Sequence, residues 1–180
     1  MNAIKSIRAE RIEVVPLSQG QLESYLESEE LFTRTVNRAS RTILTPVLQK
    51  AIRMKLEKMD QVSRNDIPWI TYWLIKVPPD GYGAGMIGFK GIPDKTGVVE
   101  IGYGIDPLFR NKGFTTEAVI TLINWAFSDP RCKRIIAPHT DRSNLASNRV
   151  LEKVGMKVYT EAPTTLSWCI EKEGYIQNHE

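Results

Sequence analysis

The sequence predicts a mixed α/β fold whose sheet is antiparallel in its first part and parallel at its centre, with helices on both faces. Three strand-like runs, 69–76, 86–92 and 99–105, follow one another through short turns, which is typical of an antiparallel meander. After the third run come a helical run that begins beyond Gly113 and another strand-like run over 134–138. A strand, a helix and a second strand of this length form a crossover unit, so these two strands should be parallel.

The N-terminal part of the chain is predicted to hold a strand and a short helix. Residues 11–17 are predicted to form the first strand. Ser18 is followed three residues later by Gln21, a capping-box signature that predicts a short helix through about Glu27. No element is predicted for residues 32–40.

A longer helix is predicted over residues 43–59, where apolar side chains recur at helical spacing. Pro46 fits this helix only near its start, because proline lacks the N–H that the helix interior needs. The aromatic and branched residues of 69–76 then predict a strand, and the turn sequence 78–81 ends it.

The C-terminal part is predicted to hold two helices and the last strands. The helix after Gly113 should end near residues 128–130, and a further helix should start at Asp141 or Ser143 and end at Gly155. Two strand-like runs close the chain: 156–159 and 166–170. The sheet is therefore expected to have six to seven strands.

Bulk properties exclude several classes of protein. With 180 residues, 42% hydrophobic and 25% charged, the chain is expected to form a single soluble domain over residues 1–180. A net charge of +3 without a dense basic run argues against nucleic acid, and no apolar run indicates a signal peptide or a membrane span. Cys132 and Cys169 fit no metal-ligand or redox-pair spacing. We therefore expect no metal and a reducing, cytoplasmic setting.

The turn 110–115, between the strand over 99–105 and the following helix, predicts an anion-binding site. The first N–H groups of a helix have no intrahelical partner and lie at the positive end of its dipole, where phosphate is the natural ligand. Gly113 lets the backbone approach an anion closely, and Arg110 and Lys112 add positive charge. An ordinary basic turn in solvent is the alternative interpretation of this stretch alone.

This turn also matches a known motif. The pattern Arg110-x-x-Gly113-x-Thr115 resembles the coenzyme A-binding motif of the GNAT acetyltransferase superfamily, Arg/Gln-x-x-Gly-x-Gly/Ala, which follows the fourth strand of that fold. The last position departs from the motif, because Thr115 carries a branched side chain where the superfamily has glycine or alanine.

A second resemblance to the same superfamily lies farther along the chain. The pattern Asn144-x-x-Ser147-x-x-x-Leu151-x-x-x-Gly155 is similar to one found in its ribosomal-protein N-acetyltransferase branch, the RimJ/RimL type. The predicted order of strands and helices matches the GNAT fold over nearly the whole chain. Two motifs at the proper separation, each on its proper element, make a chance match improbable.

The resemblance implies an N-acetyltransferase that uses acetyl coenzyme A as co-substrate and a primary amine, on a small molecule or a protein, as acceptor. Such a protein would act as a monomer or homodimer by direct attack in a ternary complex. The residues that the resemblance assigns to the cofactor are Tyr103, Gly104, Ile105, Arg110, Asn111, Lys112, Gly113, Phe114, Thr115, Asn144 and Ser147.

The resemblance also suggests roles within this set. Pantetheine would pair with the end of the fourth strand, where a bulge at Gly102 and Gly104 would free a backbone N–H. The N–H of Ile105 would polarise the thioester carbonyl as an oxyanion-hole donor. Asn144 would hold the pantetheine arm or the pyrophosphate, and Ser147, one turn on and near the thiol, would be a candidate proton donor.

The acceptor amine needs a base, because at pH 7 roughly one lysine-like amine in a thousand is neutral. Glu100 is the first candidate: it faces away from Ile101 and Tyr103, where many members of the superfamily place a glutamate. A cross-strand charge pair is the alternative interpretation of this residue. His139, after the fifth strand, is the second candidate. The acid stays unassigned, because Leu151 stands where some relatives have a tyrosine.

The residues leave two other functions open. The same fold could bind acetyl coenzyme A without catalysis, as a sensor or interaction module. The Gly-x-Gly-x-x-Gly of 83–88 would suggest a nucleotide-binding regulator, but a dinucleotide site needs this motif at the start of a helix, and a strand is predicted here. The segments expected to shape the acceptor pocket, 20–65 and 161–165, carry no decisive charge pattern.

Overall fold

A computed structural model of the protein describes residues 5–36 and 41–177. Within them, eight strands form a mixed sheet in the order β1-β2-β3-β4-β5-β6-β8-β7. The strands are β1 Ile7–Arg8, β2 Glu13–Pro16, β3 Tyr72–Val77, β4 Tyr82–Phe89, β5 Val98–Ile105, β6 Arg134–Asp141, β7 Lys157–Glu161 and β8 Thr165–Glu171. Neighbouring strands are antiparallel except for the central parallel pair β5–β6. The predicted fold class is therefore confirmed.

Helices cover both faces of this sheet. They are α1 Gln19–Glu27, α2 Glu29–Val36, α3 Pro46–Met59, α4 Ile67–Ile70, α5 Phe114–Ser128, α6 Leu145–Lys153 and α7 Lys172–Gln177. A large apolar core packs α5 against the face that carries Ile87, Val99 and Ile101. A smaller core packs α1–α3 against the opposite face, at Leu74 and Met86. No helix in the described part of the chain is both long and apolar enough to cross a membrane.

The helix starts follow their sequence signals. Ser18 caps α1 with both bonds of the capping box, since its Oγ accepts from the Gln21 N–H and the Gln21 side chain accepts from the Ser18 N–H. Pro46 opens α3, where its missing N–H costs no hydrogen bond, and Thr45 caps that helix. The stretch 32–40, left without a prediction, holds the end of α2, while residues 37–40 lie outside the described residues.

The limits of two strands were predicted wrongly. Trp69 and Ile70 belong to the short helix α4 rather than to the strand that follows, because Pro68 opens a helical turn that buries both side chains. The next strand, β4, runs over Tyr82–Phe89 instead of 86–92, so the glycine-rich segment 83–88 lies inside a strand. No helix opens there, as expected.

Other elements were missed or shifted. β1 and α7 were not predicted, so the described sheet has eight strands instead of the expected six to seven. β6 continues past Pro138 to Asp141, so His139 lies within the strand and not after it. The helix α6 begins at Leu145, with Asn144 as its N-cap, because Asp141 instead accepts the N–H of Ser143 in a turn before the helix.

A lysine is buried between the N-terminal helices and the sheet. Lys55 of α3 is 7% exposed. Its Nζ donates to the carbonyl of Ile70 at 2.6 Å and to that of Phe89, and lies 4.4 Å from the centre of the Tyr72 ring. Its ammonium group therefore links α3 to the end of α4 and to β4.

This lysine should make stability depend on pH. Burial lowers the pKa of Lys55 from 10.5 to about 7, and the charges of Lys58 and Lys90 act in the same direction. At pH values between these two pKa values, the unfolded chain binds more protons than the folded one. The free energy of unfolding should therefore rise with pH, by about 2 kcal/mol from pH 7 to pH 9. Urea unfolding of the native protein and of Lys55→Met should show this rise in the native protein only. Equal pH slopes in both would contradict the prediction.

Candidate active site

The turn before α5 has the backbone shape of an anion site. Gly113 is the N-cap of α5 with φ 82° and ψ −4°, and no side chain caps its helix. Asn111 also has a positive φ, of 60°. Left-handed residues that alternate with right-handed or extended ones turn successive N–H groups toward one concave side, and glycine adopts this conformation without strain. The first-turn N–H groups of α5 therefore lack a helical or side-chain partner and are available to a ligand.

Two adjoining cavities lie next to this turn. The larger, of about 500 Å³, runs between the turn and α6. The smaller, of about 260 Å³, reaches the end of β5. They share the lining residues Ile105, Arg110, Thr115, Ala146 and Val150, so they form one continuous groove.

The groove brings together nearly all the residues predicted to bind the cofactor. Its lining includes Tyr103, Gly104, Ile105, Arg110, Asn111, Gly113, Phe114, Thr115, Asn144 and Ser147. Lys112 is the exception among the predicted set: its carbonyl accepts from Arg11, and its Nζ lies 5.4 Å from the Phe109 ring.

Sequence reasoning missed two basic residues of the groove. Arg149 and Lys153 of α6 line its larger part, across from the turn 110–115. Their signal was present, because Ala146, Arg149, Val150 and Lys153 recur at helical spacing and so share one helix face. That face could be recognised only once α6 was known to pack beside α5.

At the end of β5 the sheet opens. The parallel pairing of β5 with β6 extends from Val98 to Glu100, whereas its pairing with β4 continues to Ile105. The Lys90 N–H donates to the Glu100 carbonyl, and the Asp106 N–H donates to the Ala84 carbonyl. These two bonds show that the even-numbered residues of β5 direct their N–H groups at β4. The intervening odd-numbered residues, Tyr103 and Ile105 among them, therefore point their N–H groups away from β4, into the gap beside β6.

The irregularity that opens this gap lies in β6. The predicted bulge at Gly102 and Gly104 is wrong, because the β4–β5 register runs through both residues without a shift. In β6 the register with β8 shifts between Ala137 and Thr140, where Pro138 has no N–H and His139 has a φ of 53°.

Two hydroxyl groups meet across the narrow part of the groove. The Tyr103 hydroxyl lies 2.9 Å from Oγ of Ser147, at the start of α6. Burial raises the pKa of Tyr103, and the hydrogen bond with Ser147 opposes this only in part, so its phenol is neutral at pH 7. Asn144 caps α6 by accepting the Ser147 N–H at 3.1 Å, which fixes the position of this serine.

Glu100 lies on the other face of the sheet from Tyr103. It pairs with Lys90, which directly follows β4 and donates its backbone N–H to the Glu100 carbonyl, and the Glu100 side chain is 25% exposed. Gly102 and Gly104 follow on the same face, where a side chain at Gly102 would meet no atom within 4 Å. The charge-pair interpretation of Glu100 thus describes a real contact, and the open surface beside it leaves room for a second molecule.

His139 lies outside the groove. Its side chain is exposed, its backbone N–H donates to Oγ of Ser167 at 3.2 Å, and it lines neither cavity. Among residues 5–36 and 41–177, no cluster of three or more histidine, cysteine or acidic side chains gathers that could hold a metal ion.

Comparison with known families identifies the fold. Residues 11–157 match the family model described as an acetyltransferase (GNAT) domain. The chain belongs to the GNAT acetyltransferase family. The resemblance first based on two short motifs is therefore confirmed.

Individual relatives agree with this assignment. The chain is 40% identical over 95 residues to an uncharacterized N-acetyltransferase, YjdG, of Bacillus subtilis, and this region covers 52% of the chain and 55% of YjdG. The match thus spans about half the length of that curated relative.

Solved structures share the fold at low identity. The ribosomal-protein-S5-alanine acetyltransferase of Vibrio fischeri is 16% identical, with a TM-score of 0.63 over 95% of this chain and 98% of its own. RimL, the ribosomal L7/L12 alpha-N-protein acetyltransferase, in complex with coenzyme A, is 14% identical, with a TM-score of 0.64 over 93% and 98%. These neighbours are consistent with the predicted branch of the family.

Proposed function

We propose that this protein is an acetyl coenzyme A-dependent N-acetyltransferase that moves the acetyl group to a primary amine by direct attack in a ternary complex. The observation that carries this proposal is the continuous groove, which joins an anion-binding helix start to the gap between β5 and β6. A long ligand with phosphates at one end and a reactive thioester at the other fits such a groove.

The wide end of the groove suits the phosphates. The N–H groups of the turn from Asn111 to Thr115 and the Arg110 guanidinium would hold the pyrophosphate. The Thr115 side chain lines the groove without closing it, so the departure from the family motif leaves the anion site accessible. Lys112 would contribute charge from the rim of the groove.

The narrow end suits the reacting carbonyl. The N–H of Ile105 points into the gap beside β6, so it can donate to the carbonyl oxygen on which negative charge develops. A donor fixed in a strand needs no rearrangement during the reaction. The backbone of Tyr103, whose N–H also points into this gap, would pair with pantetheine along the same edge, which Gly104 lines.

Proton transfers complete the reaction. Glu100, directly or through a water molecule, would take a proton from the acceptor amine, whose nitrogen then forms a bond to the acetyl carbon as the carbon–sulfur bond breaks. The leaving thiolate would take a proton from Ser147, whose hydroxyl is held by Tyr103 and regains a proton from solvent. The amine enters as an ammonium ion and loses two protons, one to Glu100 and one from the amide nitrogen to solvent. The products are therefore an N-acetyl amide, free coenzyme A and one net proton.

Direct attack is favoured over an acetyl-cysteine intermediate. Neither Cys132 nor Cys169 is among the described residues that line the groove. Cys132 is also buried, and burial raises its thiol pKa to about 11, which suppresses the thiolate at pH 7.

Two measurements test the proposed function. Calorimetric titration with coenzyme A should show binding, and a thiol-release assay over a panel of amines should show turnover with at least one of them. Binding without turnover on any amine, including N-terminal peptides, would instead favour a non-catalytic sensor of acetyl coenzyme A. Absence of binding would exclude both functions.

Arg149 and Lys153 should select for the 3′-phosphate of the cofactor. They add two positive charges to the wide part of the groove, away from the thioester end. The double variant Arg149→Gln/Lys153→Gln should weaken coenzyme A binding about tenfold and dephospho-coenzyme A binding less than twofold, because only coenzyme A carries the 3′-phosphate that these residues would contact. Calorimetry with both ligands measures the difference. Equal weakening of both would contradict this role.

A further inference from the structure

Arg11 contacts two neighbouring segments behind the anion-binding turn: Lys112 in the turn and Glu117 in α5. It lies in the loop between β1 and β2. Its backbone N–H donates to Oε1 of Glu117 at 2.6 Å, and its Nε and Nη2 lie 3.0 and 2.9 Å from Oε2 of the same carboxylate. Its Nη1 donates to the carbonyl oxygen of Lys112 at 2.9 Å. One side chain thus holds both the turn and the first helical turn of α5.

The contact with Lys112 fixes the direction of a backbone N–H. In a planar trans peptide the carbonyl and the following N–H point in opposite directions, so holding the Lys112 carbonyl toward Arg11 aims the Gly113 N–H away from it. Arg11 lines neither cavity of the groove. The arginine therefore lies on the side of the turn opposite to the ligand and does not itself reach the groove.

The contact with Glu117 also removes an adverse charge. This carboxylate is 15% exposed and lies in the first turn of the helix whose start is the anion site. An unpaired carboxylate so close to a pyrophosphate would repel it. The pairing with the Arg11 guanidinium offsets that repulsion while leaving the helix dipole directed at the ligand.

We infer that Arg11 is a positioning residue for coenzyme A, which holds the turn 110–115 in its anion-binding shape and neutralises Glu117. Coenzyme A is the ligand of this turn only if the proposed function holds. Arg11 acts through the turn without touching the ligand, so its loss should change affinity for coenzyme A more than it changes the chemical step.

Substitution of Arg11 provides the test. Arg11→Gln should raise the Kd for coenzyme A and the KM for acetyl coenzyme A about tenfold. At saturating acetyl coenzyme A, kcat and the KM for the amine should change less than twofold. Arg11→Lys keeps the charge but lacks the fork that reaches both partners, so its Kd should fall between those of the native protein and Arg11→Gln. In Arg11→Gln/Glu117→Gln the Kd should recover partly, because the unpaired charge is gone but the Lys112 carbonyl is still not held.

Arg131 offers a matched control. Its guanidinium bonds Asp129 and Asp66 at 2.7–3.2 Å, and its side chain is 48% exposed, against 50% for Arg11, but it lies outside the groove. Arg131→Gln should leave the Kd for coenzyme A within twofold of the native value. An equal rise in both variants, an unchanged Kd in Arg11→Gln, or no recovery in the double variant would overturn the inference. These results differ from the failure of the proposed function, in which the native protein itself binds no coenzyme A.

Discussion

Replacing Glu100 by glutamine is expected to lower kcat/KM for the acceptor amine about 100-fold at pH 7, because a positioned base contributes at least this much. The loss should shrink as pH rises toward the pKa of the amine, since more of the amine is then neutral without help from the protein. A pH–rate profile of the native protein and of Glu100→Gln, with acetyl coenzyme A saturating, measures both effects.

Glu13 provides a control for the charge pair. Glu13 on β2 lies directly opposite Lys76 on β3, with side chains 26% and 22% exposed, so it repeats the cross-strand arrangement of Glu100 and Lys90 away from the groove. Glu13→Gln should leave the pH–rate profile unchanged. If Glu100→Gln behaves in the same way, its carboxylate serves only the charge pair and is not the base.

The ion pair with Lys90 also bears on whether Glu100 acts as the base. As the partner of Glu100, it must release the carboxylate, at least in part, before Glu100 can accept a proton from the amine. The lysine is 67% exposed, so an ion pair of this kind contributes little to stability and is easily exchanged. The pairing is therefore compatible with a catalytic role, and the pH–rate profile decides between the two interpretations.

The fold could be predicted largely because its signals are local. The capping box at Ser18 and the proline that opens α3 each act within one helical turn, and the structure has both where the sequence indicated them. The parallel pair β5–β6 follows from the crossover length alone. The motifs around Gly113 and Asn144 each lie at the start of one helix. Most residues of the groove could therefore be predicted from short stretches of sequence.

What the sequence did not reveal depends on contacts between distant segments. Arg11 and Glu117 are 106 positions apart, and nothing near either residue indicates the other. The gap between β5 and β6 was expected from glycines in β5, but it arises from Pro138 and His139 in the neighbouring strand. Trp69 looked like a strand residue because aromatic side chains suit both strands and buried helical turns.

The glycines of 83–88 are the clearest case of a motif whose meaning depends on its neighbours. In sequence they match a dinucleotide-binding pattern, yet they lie within β4, between two other strands. A Cβ at Gly85 would lie 2.4 Å from the carbonyl oxygen of Gly104 and 3.0 Å from Cα of Ile105. Glycine is needed here because the backbone of β5 passes too close for any side chain.

Gly85→Ala is therefore expected to lower the free energy of unfolding by about 3 kcal/mol, because rigid backbone atoms must move to admit the methyl group. For a chain of this size, the fall in Tm should be roughly 10 °C. Gly102→Ala is the matched control: it changes a glycine of β5 where an added Cβ meets nothing within 4 Å, so its stability should stay within about 0.5 kcal/mol of the native value. Thermal and urea unfolding of both variants give the comparison.

The same substitution should also reach the candidate active site. The atoms that must move, at Gly104 and Ile105, belong to the strand end proposed to pair with pantetheine and to donate to the thioester carbonyl. Folded Gly85→Ala should therefore show a lower kcat even at temperatures where it is fully native, while Gly102→Ala keeps its affinity for coenzyme A. If Gly85→Ala loses stability but retains kcat, the end of β5 tolerates displacement, and Ile105 is then not the precisely placed oxyanion donor that the mechanism requires.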